Sequence, residues 1–155
     1  MKSIILYYSR SGNTEKLAKR IQGDIGCEAI KIEPEQAYGN YLESVGRVKN
    51  ERGKGIIPTF ITPIPNLRDY DVILLGFPIW AQDVPSFVAE FVRRCDIKRK
   101  TIIPFATYGM SNIQWTMKTL NELCLEANMK LPFDQGMFKK RNYDEWIAKV
   151  KALLQ

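Results

Sequence analysis

Histidine is absent from the 155 residues. Its absence excludes Ser-His-Asp and Cys-His nucleophile chemistry and removes the commonest metal ligand. Cysteine is scarce. Cys27, Cys95 and Cys124 are odd in number and form no CxxC, so neither a disulfide scaffold nor a metal site is expected, and the three thiols read as buried packing. Long apolar runs are missing too: none approaches the roughly 18 to 20 residues of a membrane-spanning helix. The N-terminal stretch "SIILYY" meets charge at Arg10, too soon for a secretory h-region. A cytoplasmic protein without a membrane partner is expected.

What is present is ordinary globular composition, 45% apolar and 26% charged. A chain of this length is most simply one domain, 1–155, burying roughly 70% of the surface that its unfolded form exposes. Net charge is +6, with basic residues gathered in "RVKNERGKG" (47–55), "RRCDIKRK" (93–100) and "FKKR" (138–141). These clusters read first as solvated helix ends and loops, and second as attraction for an anionic partner. Nucleic acid is not expected, because the clusters lack interleaved aromatics and no nucleic-acid-binding motif spacing occurs.

Strand-like and helix-like patterns alternate along the chain. "KSIILYYS" (2–9) has strand length, and residues 14–25 carry Leu17, Ala18, Ile21 and Ile25 at helical spacing, with Gly26 placed to stop them. "EAIKIE" (28–33) alternates with period two, and a helix is expected near 40–52 before a Pro-rich excursion. "DVILLGF" (71–77) is continuously apolar, as a central parallel strand covered on both faces should be. Pro85 opens a helix with Val88, Phe91, Val92 and Cys95 on one stripe. "TIIPFAT" (101–107) reads as strand despite Pro104, which costs a backbone donor and marks a local irregularity. A helix over 113–127, a weaker strand around Met129 to Phe133 and a last helix capped by Asn142 complete the pattern. Five strands linked by helices imply an α/β doubly wound sheet with helices on both faces.

In such sheets ligands sit beyond the carboxyl ends of the strands, where the strand order reverses. The loops to inspect are "SRSGNT", "FPIWAQDVP" and "TYGMSN". The first combines hydroxyls, an amide and a flexible glycine at a helix N-terminus, where free N–H groups and the helix dipole favour an anion. It reads as a phosphate cradle, although a plain helix cap uses the same residue types. Other phosphate sites fail on particular positions. There is no GxxxxGK[ST] and no GxGxxG. Arg is not found six residues after any cysteine (Glu33, Thr101 and Lys130 stand there), and Gly76 and Phe77 stand where a receiver domain needs its acceptor Asp. Trp80 and Tyr108, just past the third and fourth strands, add two flat rings, so the ligand is expected to be planar and phosphorylated.

The segments "YYSRSGNTEKLAKRI", "DYDVILLGFPIWAQDVPSFVAEF" and "TIIPFATYGMSN" together resemble the flavodoxin family, especially short bacterial flavodoxin-like proteins. The likeness runs in order through nearly the whole chain. The resemblance implies a flavodoxin-like five-stranded parallel sheet of order 2-1-3-4-5, and FMN as cofactor. It implies that Ser9, Arg10, Ser11, Gly12, Asn13 and Thr14 hold the phosphate, mostly through N–H and hydroxyl groups. Pro78, Ile79, Trp80 and Ala81 would line one side of the isoalloxazine ring, and Thr107, Tyr108 and Gly109 the other. This chain departs from the family at Ser11 (usually Thr), Tyr108 (often Ser) and Met110 (often Gly). It also lacks the glycine expected after Trp80, where Ala81 resists positive φ. The implied function is electron transfer between cytoplasmic redox partners; the alternative is an NAD(P)H-dependent FMN-containing quinone or flavin reductase. Familiar carriers of the family are acidic and this chain is basic, so its partners are redox proteins, acidic ones among them, or NAD(P)H. No crevice residue is an obvious proton donor, which favours the carrier, and no catalytic residue is assigned.

Overall fold

The computed structural model describes residues 1–109, 111–137 and 141–155. Met110 and residues 138–140 of the last basic cluster lie outside the described residues, and so does the expectation placed on Met110.

The apolar runs form the middle of one parallel sheet. Strand β1 (Ser3–Tyr7) pairs with β2 (Glu28–Lys31) on one side and with β3 (Val72–Pro78) on the other, and β3 pairs with β4 (Thr101–Tyr108). With β5 (Asn128–Met129) beyond β4, the order is β2-β1-β3-β4-β5, as expected. Alternate strand residues face opposite sides. Ile5, Leu74, Ile103 and Phe105 meet helices α1 (Asn13–Ile25) and α5 (Tyr143–Leu154) on one face. Ile4, Ile73, Leu75 and Ile102 meet α3 (Ser86–Arg94) and α4 (Met117–Leu123) on the other. The nine residues of α3 are too few for a stable isolated helix. Five of them (Phe87, Val88, Ala89, Phe91 and Val92) are buried. Full burial of each large side chain contributes about 1.5–3 kcal/mol as an upper estimate, so packing holds this helix together.

Local signals end the helices where expected. Gly26 adopts φ 66° and its N–H bonds to the Gln22 carbonyl at 2.8 Å, closing α1. The Asn142 side chain accepts from the Glu145 N–H at 3.1 Å, opening α5. Helix α2 (Tyr41–Lys54) starts on a capping box between Asn40 and Glu43. The chain then returns antiparallel to residues 33–35: Glu35 N–H bonds to Thr59 O and Ile61 N–H to Glu33 O, each at 2.9 Å. This return covers the chain edge just beyond β2.

Two elements differ from expectation. The fifth strand is split, β5 pairing with the start of β4 and β6 (Phe133–Gly136) with its end. Between them Leu131 has φ 50° and Pro132 has no N–H to donate. Lys130 N–H bonds to Ile102 O at 2.9 Å, so by the strand alternation Pro104 turns its missing donor toward this same break. The two prolines share one interruption. The helix expected over 113–127 is a 3₁₀ turn, Ile113–Thr116, followed by the short α4. The chain leaves the helix early because Asn128 N–H must reach Lys100 O (2.8 Å) and Glu126 O must accept from Arg99 N–H (2.8 Å). Among the described residues no helix is long and apolar enough to cross a membrane.

Cys95 and Cys124 are buried, as expected, whereas Cys27 at the edge of the sheet is only half-buried. Burial pushes the Cys95 thiol up from 9.0 to about 12 and Cys124 to about 11. Burial and then Glu15 push the Tyr7 phenol from 10.0 to about 12, and burial drives Tyr8, Tyr38 and Tyr143 higher still. All these groups ionise more readily in the unfolded chain. Their contribution to stability is full below the unfolded values and is lost as pH rises toward the folded ones. Stability to urea is therefore expected to hold level from about pH 7 to 9 and to fall between about 9 and 12. Tyrosinate absorbance should rise together with unfolding; a rise from most of the phenols while the protein is still folded at pH 10 would contradict these shifts.

Candidate functional site

The carboxyl ends of β1, β3 and β4 open onto a cavity of about 590 Å³, within the range of small-molecule sites. Of the thirteen residues expected to form a site, Ser9, Arg10, Ser11, Asn13, Thr14, Pro78, Ile79, Trp80, Thr107, Tyr108 and Gly109 line it. Gly12 and Ala81 do not. Gly12 shapes the first loop instead: at φ 101° it takes a backbone form that residues with a Cβ rarely adopt, and its N–H bonds to Ser9 Oγ at 3.1 Å. The turn delivers the first residues of α1 to the cavity. Their N–H groups have no intrahelical acceptor, since the first bond inward is Lys16 N–H to Gly12 O at 2.9 Å.

Thr14 is buried with its hydroxyl 2.7 Å from that of Thr107, also buried. This contact ties the first loop to the end of β4, so Thr14 acts as a staple as well as a lining residue. Tyr7 donates at 3.2 Å to Glu15 in the first turn of α1, and Lys31, then Tyr7, hold the Glu15 carboxyl below its ordinary value.

Past the end of β3, Trp80 is half-buried among aromatics, with Tyr8 at 5.3 Å and Tyr38 at 4.6 Å, both edge-on. The backbone after it makes a two-residue turn. Trp80 N–H bonds to Asp83 O and Asp83 N–H to Trp80 O, each at 2.9 Å, and Ala81 and Gln82 have φ 44° and 67°. This is a type I′ arrangement without the glycine or asparagine that usually permits it. The resistance of Ala81 to positive φ is overridden, at about 1–2 kcal/mol per left-handed residue. On the opposite side Tyr108 lies over Gly136, where a Cβ would stand 2.1 Å from the ring. Burial raises the Tyr108 phenol and nearby Asp134 adds to the rise, while Arg141 opposes it. Asp134 is buried, accepts from Ile113 N–H at 2.9 Å and faces Arg141 Nε at 2.7 Å, a charge pairing without hydrogen-bond alignment. It thus anchors the far end of the loop that begins at Tyr108.

The sequence reading missed Lys16, Leu17, Arg20, Tyr41 and Gln135 to Met137. Lys16, Leu17 and Arg20 follow Asn13 at i+3, i+4 and i+7, so helical spacing could have found them. Gln135 to Met137 stand at the carboxyl end of the split fifth strand. Tyr41 carried no signal, since its place depends on where α2 packs. The lining as a whole holds three cations, Arg10, Lys16 and Arg20, and no carboxylate, imidazole or thiol among the described residues. Free N–H groups and these cations, of which Arg20 is also paired with Asp144 at 3.4 Å, suit an anion; the tyrosine and tryptophan side chains suit a flat ring.

Comparison with known proteins bears on the family and the fold. No significant match occurs among curated protein sequences. A candidate flavoprotein from Bacteroides uniformis superposes with TM-score 0.82 at 25% identity, covering 97% of each chain. A flavoprotein from Lactobacillus acidophilus in complex with FMN gives TM-score 0.75 at 22% identity, over 86% of this chain and 91% of that one. A flavodoxin from the domain Archaea gives TM-score 0.57 at 17% identity, over 99% and 93%. The flavodoxin family model matches residues 2–150, so the chain belongs to the flavodoxin family.

Proposed function

We propose that the cavity binds FMN and that the protein carries electrons between redox partners. The observation that carries the binding is that one cavity joins three cations and the free N–H groups at the start of α1 to tyrosine and tryptophan side chains, with no acidic residue in the described lining. Support comes from family membership and from the Lactobacillus acidophilus relative, which is in complex with FMN.

The residues fit that ligand. Amides at the start of α1, with the hydroxyl of Ser11 and the Asn13 side chain, would receive the phosphate, and Arg10 and Lys16 would add charge at its edge. Arg10 already donates to Gly39 O at 3.3 Å, so it is an auxiliary to the cradle. Trp80 and Tyr108 would flank the ring and exclude water from it. When bound, FMN supplies the capacity to take up and release one or two electrons, while the protein sets the surroundings of the ring. A carrier needs no proton-moving side chain, and the described lining offers no carboxylate, imidazole or thiol for one.

The purified protein is expected to be yellow and to release FMN on denaturation. The ligand-free protein should bind FMN at least about 100-fold more tightly than riboflavin, as two or more charge-assisted bonds to phosphate would give. Equal affinity for both flavins would remove the phosphate from the cradle. Anaerobic mixing with NADPH tests the carrier role: no rapid bleaching is expected without an added reductase, and rapid bleaching would make the protein a reductase instead.

A further inference from the structure

The strained turn after Trp80 is gripped from outside. Arg52, in the last turn of α2, donates from Nη1 to Ala81 O at 2.8 Å and from Nη2 to Trp80 O at 2.9 Å. These two carbonyls belong to the peptides on either side of Ala81. Turning over either peptide would break one arm of the fork. Among the described residues Arg52 forms no ion pair, so its two observed bonds both go to neutral backbone oxygens. Its neighbour Glu51 is taken by Arg47 at 2.6 Å and by the Tyr38 hydroxyl at 2.8 Å. Tyr38 in turn packs edge-on against Trp80. Helix α2 therefore braces the tryptophan through Tyr38 and braces its backbone through Arg52.

We propose that Arg52 is a positioning residue: its guanidinium latches the Ala81–Gln82 turn in the left-handed form and so preforms the Trp80 wall of the cavity. The need for a latch follows from residue type. Ala and Gln do not favour positive φ at both central positions, whereas glycine does, so a turn of two glycines would hold the same form without help. A planar guanidinium fork suits the task because it meets two acceptors at once in a fixed geometry.

The reading of the ligand as FMN enters only the binding arm of the test, which is a mutant cycle between Arg52→Met and the pair Ala81→Gly with Gln82→Gly. Arg52→Met keeps the apolar stem and removes the fork. In the natural background it should weaken FMN and riboflavin by the same factor, about tenfold, since the bonds lost are charge-assisted but exposed and the phosphate cradle is untouched. In the double-glycine background the loss should shrink to about threefold or less. An equal loss in both backgrounds, or no loss in either, would overturn the latch.

The same cycle is read in urea unfolding of the ligand-free protein, which also shows that each variant folds. There too Arg52→Met should destabilise the natural turn more than the glycine turn, and additive effects would overturn the proposal. If the natural protein binds no flavin while the unfolding cycle still shows the coupling, the latch stands and the FMN reading falls.

Discussion

Replacing Gly76 by alanine is expected to cost at least about 3 kcal/mol of folding stability, the upper end of what overpacking a core usually costs. Gly76 lies in β3, the strand between β1 and β4, and stands beside Phe105 in register. An added Cβ would lie 2.2 Å and 2.4 Å from two atoms of the Phe105 ring, far inside contact distance. The ring has no room to withdraw, being fully buried in the cluster that also holds Tyr7, Phe133 and Trp146. Backbone conformation plays no part here, since Gly76 is not among the positive-φ glycines. Chemical denaturation with an unchanged slope checks the value. Adding Phe105→Leu should recover part of the loss, because the smaller side chain vacates the space. A cost below about 1 kcal/mol would mean that the sheet shifts easily at this point, and the carboxyl ends that frame the cavity would then be less rigid than their packing indicates.

The second large effect concerns binding. Asn13→Asp is expected to lower FMN affinity by about 100-fold while leaving riboflavin affinity unchanged. Asn13 is the first residue of α1, is exposed and lines the cavity together with Arg10 and Lys16. A carboxylate about 4 Å from a phosphate charge is opposed by about 4 kcal/mol at an effective dielectric of 20, and solvent screening at an exposed position reduces this to roughly 3. The same carboxylate favours the positive end of the helix dipole, so the ligand-free protein should be unchanged or more stable by about 0.3–1 kcal/mol. Opposite signs for folding and binding separate an electrostatic effect from damage to the fold. Titration of flavin fluorescence with each ligand decides the matter, and a matching loss for riboflavin would place the phosphate elsewhere.

The first loop was legible because its parts are consecutive: Ser9 to Thr14 form a loop and helix start whose conformation is local. The loops after β3 and β4 were legible because a parallel sheet brings the carboxyl ends of its strands together. The support behind Trp80 was not. Tyr38, Arg47 and Arg52 come from the segment between the second and third strands, where no pattern in the sequence said how α2 would lie. Leu131 and the early end of α4 were hidden for a related reason. Helical spacing continued through Cys124 and Ala127, but hydrogen bonds of residues 126 and 128 with Arg99 and Lys100 overrode it.

By itself, then, the sequence determined what depends on near neighbours: the order of strands and helices, the caps at Gly26 and Asn142, the absence of imidazole chemistry, and the polar loop and helix start of residues 9 to 14. Tertiary structure alone decided how the turn after Trp80 is held. Local preference disfavours two left-handed residues at Ala81 and Gln82, and their contacts come from afar: the Arg52 guanidinium, about thirty positions earlier in the chain and brought close by the packing of α2, bonds the Trp80 and Ala81 carbonyls, and Thr119 bonds Asp83 at 2.9 Å.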